Sequence, residues 1–447
     1  MTRAKIAGGA FATVLILLAF AAGYRALDQD VQPAAATSPA TTPPTAPAAA
    51  ETHPAAETPP GFLYGRITTV DGATYEGRLR WGGDQEAFWG DYFNGSKDKN
   101  PWAVHAPLAR QSKESRPIKI LGITVAVTES EIDPGRIFMA RFGEIARIEA
   151  HGREVRMTLK SGTVFDLDRF ASSDFDDGVR VWDGKRGVVN LDSLRIRTIE
   201  LLPAARPGAA YRLHGTVRTR QGDFTGFVQW DREEGVGSDE LDGRTADGKL
   251  SLRFDTLRSI ARRSRDSALV TLLDGREIVL SDTAEVGDGN HGIYVDDRRY
   301  GRVLISWDAF ERFDFSPGGS GPSYGDFPPG RPLTGSVITR AGRRLAGRLV
   351  YDLNESETTD TFDVSSQGVD YTIPLGLIAS IVPPGREERG RVTLHDGEEL
   401  QLERSGDLGD GNGGLLIFVD GRQSPEYVPW PDVEQVDLDR PPAMYPH

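Results

Sequence analysis

The sequence contains no cysteine in its 447 residues. Disulfides, thiolate metal sites, cysteine nucleophiles and a lipid-modified cysteine are therefore excluded. Basic residues are also in deficit, because 52 lysines and arginines face 66 aspartates and glutamates, for a formal net charge of −14. Phosphate binding needs clustered basic side chains, so this balance argues against nucleic acid as the main partner.

Catalytic motifs are missing as well. The sequence has no Gly-x-Ser-x-Gly motif, no Walker-type phosphate loop and no His-Glu-x-x-His motif. Seven histidines leave few general bases. The sequence therefore leans away from an enzyme, although its many acidic residues leave open a carboxylate pair of the kind that hydrolyses glycosides.

One long apolar segment is present at the N-terminus. Residues 6–24 carry no charge and follow Arg3 and Lys5. A run of this length can span a bilayer as a helix, and the basic flank orients its start toward the cytoplasm. We expect residues 1–26 to anchor the chain in a bacterial inner membrane by a single pass, with the remainder in the periplasm. The alternative is a signal peptide cleaved near Ala19-Phe20-Ala21, which would give a secreted protein.

Residues 27–60 are rich in alanine, proline and threonine and poor in large apolar residues. Such a composition predicts a disordered linker between the apolar segment and the globular part.

Three tandem repeats of one β-rich unit follow the linker. They share glycines and an aromatic residue at nearly fixed offsets, which indicates one structural module used three times. The matching positions are Gly65, Gly72, Gly77 and Trp81; Gly215, Gly222, Gly226 and Trp230; and Gly335, Gly342, Gly347 and Tyr351. We place repeat one at residues 61–203, repeat two at 211–316 and repeat three at 331–440.

Short β-branched segments separated by glycine turns indicate the fold of each repeat. Strands of about five residues spaced about ten apart predict small antiparallel barrels. The fold class is therefore mainly β, with three tandem barrels, SH3-like or Sm-like in shape only, behind an N-terminal transmembrane helix. The glycine inside the returning strand of each repeat suggests a bulge or sharp bend; these are Gly77, Gly226 and Gly347. The tryptophans Trp81, Trp230, Trp307 and Trp430 suit the core.

Repeat one carries an insertion at residues 94–134 that is basic in an otherwise acidic protein. Nearby aromatic residues have no large apolar counterpart in the other repeats, so they are candidates for a surface that stacks on sugars or receives a protein. The alternative is that the insertion folds back and buries them. The candidate partner surface comprises Phe88, Trp89, Tyr92, Trp102 and His105.

An acidic loop also recurs as Asp-x-(Asn or Asp)-x-Gly, and its three copies begin at Asp174, Asp288 and Asp410. Several oxygens on a tight turn can bind Ca²⁺, but the same pattern also forms an Asx-turn that caps its own backbone. No complete calcium motif is present, so the turn is favoured and calcium is the alternative. The candidate ligands are Asp174, Asp176, Glu285, Asp288, Asn290, Asp407, Asp410 and Asn412.

These features favour a membrane-anchored periplasmic protein that binds or scaffolds an envelope protein or a cell-wall glycan through sheet edges and the insertion. Two alternatives remain open: a cell-wall polysaccharide hydrolase with a carboxylate pair in repeat one, and a calcium-stiffened spacer.

Overall fold

The computed structural model describes residues 58–82, 85–105, 113–120, 123–131, 137–170, 173–204, 211–385 and 388–442. Within these ranges the chain is mainly β, with antiparallel pairing throughout. No helix in the described ranges is long and apolar enough to cross a membrane. The predicted anchor and most of the linker lie outside them.

The strands form a ten-strand unit that occurs three times. Repeat one contains β1 (Tyr64–Thr69), β2 (Thr74–Trp81), β3 (Tyr92–Ser96), the inserted hairpin β4 (Lys113–Ile120) and β5 (Ile123–Glu131), β6 (Ile137–Arg141), β7 (Ile145–His151), β8 (Glu154–Leu159), β9 (Val164–Asp168), β10 (Val179–Asp183), β11 (Gly187–Leu191) and β12 (Ile196–Leu201). Repeat two contains β13 (His214–Thr219), β14 (Gly222–Gln229), β15 (Glu240–Thr245), β16 (Gly248–Arg253), β17 (Leu257–Ser264), β18 (Ser267–Leu272), β19 (Glu277–Ser281), β20 (Ile293–Asp297), β21 (Gly301–Ile305) and β22 (Phe310–Phe315). Repeat three contains β23 (Thr334–Thr339), β24 (Arg344–Val350), β25 (Thr361–Ser366), β26 (Val369–Pro374), β27 (Ile378–Val382), β28 (Arg389–Leu394), β29 (Glu399–Glu403), β30 (Leu415–Phe418), β31 (Glu426–Val428) and β32 (Val433–Leu438).

We letter the ten positions of the unit A to J in chain order, leaving out the inserted hairpin. In every repeat the strands pair in the order I-H-B-A-J-E-F-G. Strands C and D form a hairpin whose place differs between repeats. Position C is β3, β15 or β25; D is β6, β16 or β26; G is β9, β19 or β29; H is β10, β20 or β30; and I is β11, β21 or β31.

Within the described residues, helical structure is confined to single turns. Three of them, Phe142–Glu144, Phe254–Thr256 and Leu375–Leu377, lead into strand E, and each starts with a buried apolar residue. In the sequence, apolar residues at positions i, i+3 and i+6 of these segments predict a single helical turn before a strand, and the structure confirms this prediction. The other turns are Ala103–His105, Ser173–Asp176, Ser193–Arg195, Ala284–Val286, Tyr324–Asp326, Gly406–Leu408 and Trp430–Asp432.

The repeated glycines mark a close approach of strands. Gly215 and Gly226 face each other across strands A and B, and the other repeats pair their glycines in the same way. A Cβ on Gly226 would lie 2.0 Å from the carbonyl oxygen of Asp296 on strand H. The A–B pair continues through this point without a register shift. The predicted bulge is therefore wrong, and glycine is required here because a neighbouring strand's backbone comes too close for a side chain.

The predicted closed barrels are also wrong, because each sheet is open. The G end and the I end of a repeat do not pair with each other. Instead, strand I of repeat two (β21) pairs with strand D of repeat three (β26), which gives a twelve-stranded sheet. In repeat two, the outer edge of strand I, which a closed barrel would pair with strand G, is thus occupied by a hairpin of repeat three.

The hydrophobic core reflects the pairing of the repeat-three hairpin with the sheet of repeat two. Repeats two and three share one continuous cluster of buried side chains, whereas repeat one has its own. The four repeated tryptophans are buried in these clusters, as predicted. Because β25 and β26 belong to the sheet of repeat two, the boundaries at 211–316 and 331–440 describe the sequence repeat and remain predictions as domain limits.

Candidate binding surfaces

The predicted aromatic surface of repeat one lies in the interior. Phe88, Trp89 and Tyr92 are each at most 4% exposed. Phe88 packs on Tyr324 with ring centroids 5.1 Å apart, and Trp89 packs on Phe327 at 6.1 Å. These two partners belong to the segment between repeats two and three. The rings are therefore not available as an exposed stacking surface, and their described ring partners are not in the inserted hairpin.

Trp102 and His105 lie against repeat three. The Trp102 ring is half-buried, with its centroid 5.8 Å from that of Phe418 and with the Arg348 guanidinium 5.1 Å from its own centroid. His105 is exposed, 6.1 Å from the Phe418 ring. Of the five predicted residues, these two remain in reach of solvent, and both contact repeat three.

A buried network of charges joins repeat one to repeat two. Arg302 donates to Asp91 and to Asp296 at 2.9 Å each. Arg212 donates to the other oxygen of Asp296 at 2.9 Å and to the carbonyl of Trp89 at 2.8 Å. The side chains of all four charged residues are at most 10% exposed. Buried charges of this kind require their partners, so the network fixes the position of the loop around Asp91 on repeat two.

Buried ionisable groups continue into repeat one. Arg141 donates to Glu144 at 3.0 Å and to the Tyr92 hydroxyl at 2.6 Å. Burial raises the pKa of Glu144 to about 7 and that of Tyr92 to about 12. In both cases removal from water disfavours the charged form. The unmatched aromatics of repeat one are therefore part of a polar, buried junction between repeats.

Each predicted acidic loop is bonded to its own repeat. Asp174, Glu285 and Asp407 use a carboxylate oxygen to accept the backbone N–H of a residue in strand C, at 2.6 to 2.7 Å. Their carbonyl oxygens accept the Trp81 indole, the Trp230 indole and the Tyr351 hydroxyl. These bonds show that Asp174 corresponds to Glu285 and Asp407. The sequence comparison that placed Asp174 opposite Asp288 and Asp410 is wrong by three positions, because the loop of repeat one is three residues shorter.

The remaining loop residues have protein partners too. Asn290 and Asn412 donate to the carbonyls of Glu285 and Asp407 at 3.1 and 2.9 Å. Asp288 and Asp410 pair with arginines, and Asp176 accepts from Ser193 at 3.5 Å. The side-chain oxygens of Asn290 and Asn412 also accept the backbone N–H two residues further on, at 2.8 Å each, which forms an Asx-turn in these two loops. No group of three or more acidic or histidine side chains suited to a metal ion occurs among the described residues.

An acidic pocket of about 220 Å³ lies between repeats one and three. Strand C and the loops of repeat three supply Glu355, Asp360, Asp363 and Asp407, and repeat one supplies Lys97. Burial raises the pKa of all four carboxyl groups, and for Glu355 and Asp407 by a large amount. Lys97 donates to Asn354, and burial lowers its pKa. Burial therefore favours the protonated form of these carboxyl groups, which can donate a hydrogen bond.

Repeat two has a counterpart of this acid pair. Glu234 holds the position of Glu355, because the backbone N–H of Glu234 donates to the Trp230 carbonyl as that of Glu355 donates to the Tyr351 carbonyl. Glu285 holds the position of Asp407, as the bonds of the acidic loops show. Burial, followed by the mutual charge, raises the pKa of Glu234 to about 8, and burial raises that of Glu285 to about 7. Repeat one has Gln85 in the place of Glu234. The sequence analysis missed this pair, although Gln or Glu lies four residues after the repeated aromatic residue each time.

The end strands of the three large sheets have no further strand paired on their outer side in the described chain. Strand I is paired on both sides in repeat two, but β11 of repeat one pairs with β10 alone. Likewise β16, strand D of repeat two, pairs with β15 alone. The other end strands are β9, β25, β29 and β31. Of these, β31 has three residues, and its Glu426 is paired with Arg343 and Arg422. A short, charged edge resists pairing with further strands, whereas β11 carries no charged side chain.

Two further surfaces belong to repeats one and two. An apolar groove of about 600 Å³ in repeat two is lined by Tyr211, Phe254, Leu273 and Phe315 among others. It could take an apolar side chain. The inserted hairpin β4–β5 forms a two-stranded sheet of its own. The basic side chains predicted along that hairpin lie outside the described side chains.

Comparison with known proteins identified no relative of this chain. No family model, no curated protein and no solved structure matches this chain.

Proposed function

We propose that this protein is a membrane-anchored periplasmic scaffold that binds an envelope protein or a cell-wall glycan, chiefly by pairing strands along its free sheet edges. One observation supports this proposal above the others: strand I of repeat two already holds a hairpin from repeat three by regular antiparallel pairing. The module's edge thus accepts a strand, and β11 and β16 offer the same type of edge to a partner.

The contacts among the repeats fit a scaffold. Repeat one bonds to repeat two through Asp91 and Arg302 and to repeat three through Lys97 and Asn100. Thr163 donates to Glu357 of repeat three as well. A rigid arrangement of edges lowers the entropic cost of binding a strand, because the edge is ordered before the partner arrives.

The test is site-specific cross-linking of the full-length protein in the cell envelope. A photoreactive residue in place of Val188 on β11 or Ser251 on β16 should form adducts with a partner. The same residue in place of Val70, which is exposed in the turn between strands A and B, serves as the control. Equal adducts from all three positions, or none from either edge, would refute pairing along the edges.

A polysaccharide hydrolase is the second candidate, and the acidic pocket favours it. A glycosidase needs one protonated and one ionised carboxyl group near the scissile bond. Burial raises the pKa of Glu355 and Asp407, which line one pocket with Lys97. This pair belongs to repeat three rather than to repeat one, where the sequence placed it.

The hydrolase candidate predicts turnover of cell-wall polymer that Glu355→Gln and Asp407→Asn each abolish. Glu403→Gln, on strand G of the same repeat, is the control. Turnover that survives both pocket substitutions would exclude this pair as the catalytic residues.

A further inference from the structure

Strand I of repeat two pairs with strand D of repeat three and so forms a joint between these repeats. The corresponding joint between repeats one and two is not formed in the described chain. In the joint that is made, β21 and β26 pair with Arg302 opposite Thr372 and Leu304 opposite Asp370. The corresponding strands for repeats one and two are β11 and β16. Each of these is paired along one edge within the described chain.

We propose that β11 of one molecule pairs with β16 of a second copy of this chain, in the register of the internal joint. This inference rests on the proposed function and names the partner for these two edges. It follows from continuity with a pairing that the protein already makes between two of its own repeats.

The register can be derived from the hairpins on either side. Gly187 of β11 corresponds to Gly301, because each faces the last residue of strand H. Gly248 of β16 corresponds to Val369, because each faces the last residue of strand C. The internal joint therefore predicts Val188 opposite Ser251 and Asn190 opposite Lys249.

The burial pattern of the two strands agrees with this register. Val188, Asn190, Lys249 and Ser251 are exposed, whereas the apolar residues that alternate with them are partly or fully buried, namely Val189, Leu191, Leu250 and Leu252. The predicted pairing thus joins exposed faces to exposed faces and inner faces to inner faces. A shift by one residue would reverse this match on one strand.

Within one chain, β11 and β16 are not paired to each other while the Asp91–Arg302 and Lys97–Asn354 bonds hold repeat one on repeats two and three. A second copy supplies the missing strand for each edge in this proposal. The other end strands of the large sheets are β9, β25, β29 and β31. Among these, β31 alone holds position I or D, and it is a poorer acceptor because of its length and its paired Glu426.

Cysteine cross-linking tests the register directly, because the natural sequence has no cysteine. Full-length Val188→Cys protein is mixed with full-length Ser251→Cys protein and oxidised mildly. Residues directly opposite in an antiparallel pair have Cα atoms about 4.5–5.5 Å apart, within disulfide range. We expect a mixed disulfide dimer, and likewise from Asn190→Cys with Lys249→Cys.

The off-register control mixes Val188→Cys with Lys249→Cys. The two residues lie on the same face but two positions apart, which separates their Cα atoms by about 8 Å, beyond disulfide range. We expect at least about fivefold less adduct from this mixture. Equal yields from both mixtures would overturn the register. Absence of the Val188–Ser251 adduct, with both thiols reactive toward a small reagent, would overturn the pairing itself.

A charge pair provides a second test by sedimentation of the full-length protein. Val188 is 59% exposed, so substitution there leaves the repeat folded, which a melting curve checks. Val188→Lys should weaken association by up to about fivefold, because it places a third positive charge beside Lys249 and Arg253. Val188→Glu removes the same apolar side chain but should preserve or strengthen association. Equal effects of the two substitutions would contradict the pairing.

The outcomes separate this inference from the proposed function. If self-pairing is absent while β11 and β16 still cross-link to other envelope components, the self-pairing inference fails and the scaffold proposal stands. If these edges form no adduct with any partner, both fail.

Discussion

Glu234 of repeat two is a half-buried acid, and another repeat of the same chain has glutamine at the matching position. Its Oε2 is buried and has no hydrogen-bond partner among the described residues. Burial, together with the negative charges of Glu285, Asp231 and Glu233, raises its pKa to about 8 from an ordinary 4.5. Gln85 holds the same position in repeat one. We therefore expect Glu234→Gln to stabilise the protein at alkaline pH.

The sign of the effect follows from the direction of the pKa shift. Since the folded-state pKa lies above the unfolded-state pKa, the folded state keeps a proton that the unfolded state loses between about pH 4.5 and 8. Stability of the natural protein therefore falls as the pH rises through this window. The amide of glutamine carries no charge at either end, so this contribution to the pH dependence disappears in the variant.

The magnitude can be bounded from the same shift. A difference of roughly 3.5 pKa units corresponds to an upper limit of about 5 kcal/mol. Glu234 is only half-buried, so solvent screening reduces the effect. We expect Glu234→Gln to raise the free energy of unfolding by about 1–2 kcal/mol at pH 8.5 and by little at pH 4.5.

Urea unfolding followed by tryptophan fluorescence at pH 4.5 and pH 8.5 measures this difference. The control is Glu240→Gln, an exposed residue at the start of strand C. The reverse substitution, Gln85→Glu, should destabilise repeat one at pH 8.5 and much less at pH 4.5. A stabilisation by Glu234→Gln that is equal at both pH values would refute the explanation from buried charge.

Three further predictions concern the core, the interface and the acidic loops. Arg302→Met should destabilise the protein by about 3–5 kcal/mol, because it leaves two buried aspartates without their shared partner. Arg218→Met, at an exposed ion pair, should cost less than about 1 kcal/mol. Similar losses of unfolding free energy in urea titrations of the two variants would contradict this. Gly226→Ala should destabilise repeat two strongly, since its Cβ would lie 2.0 Å from a carbonyl oxygen, whereas Gly235→Ala, with open space around it, should change the unfolding midpoint little. Excess calcium and chelator should give the same melting temperature, because the carboxylates of the acidic loops already bind backbone N–H groups and arginines; a rise with calcium would restore the spacer hypothesis.

The local features of the repeat could be predicted because each depends on residues close in sequence. The glycine turn at Gly72, the single turn at Phe142 and the buried Trp81 are set by neighbouring strands. Phe93 matches Leu241 and Phe362, and all three are fully buried. Such positions recur in every repeat with the same local partners, so counting offsets identifies them.

The relations between repeats could not be predicted in the same way. Which hairpin occupies the edge of β21 depends on strands about 70 residues apart in the chain, and no local pattern in β26 distinguishes it from β16. The acidic loops were misaligned because they differ in length, and the bonds from the Trp81 indole and from the Asn94 backbone N–H to Asp174 show the correct match. Equal residue patterns at unequal loop lengths therefore misled the sequence comparison.

The aromatics of repeat one illustrate a correct signal with the wrong explanation. The absence of large apolar counterparts for Phe88, Trp89 and Tyr92 does mark a difference between repeats. That difference is an intramolecular interface, since Phe88 packs on Tyr324 between repeats two and three, and the Trp89 carbonyl accepts from Arg212 of repeat two. Arg302 has no basic counterpart on strand I of repeat one. This difference was the available sign in the sequence that Arg302 binds a buried acid from elsewhere in the chain.

The proposed joint between β11 and β16 has a consequence for the size of assemblies. Each chain offers one β11 and one β16, so pairing of unlike edges either closes into a ring or extends as a chain of molecules. A Val188→Lys molecule has a weakened β11 but an intact β16. When this variant is added to natural protein, it should still be bound through β16, and its weakened β11 should then stop the growth of the assembly. A small fraction of the variant should therefore shorten assemblies by more than its share of the total protein mass. Shortening in simple proportion to dilution would indicate that the two edges do not act in series.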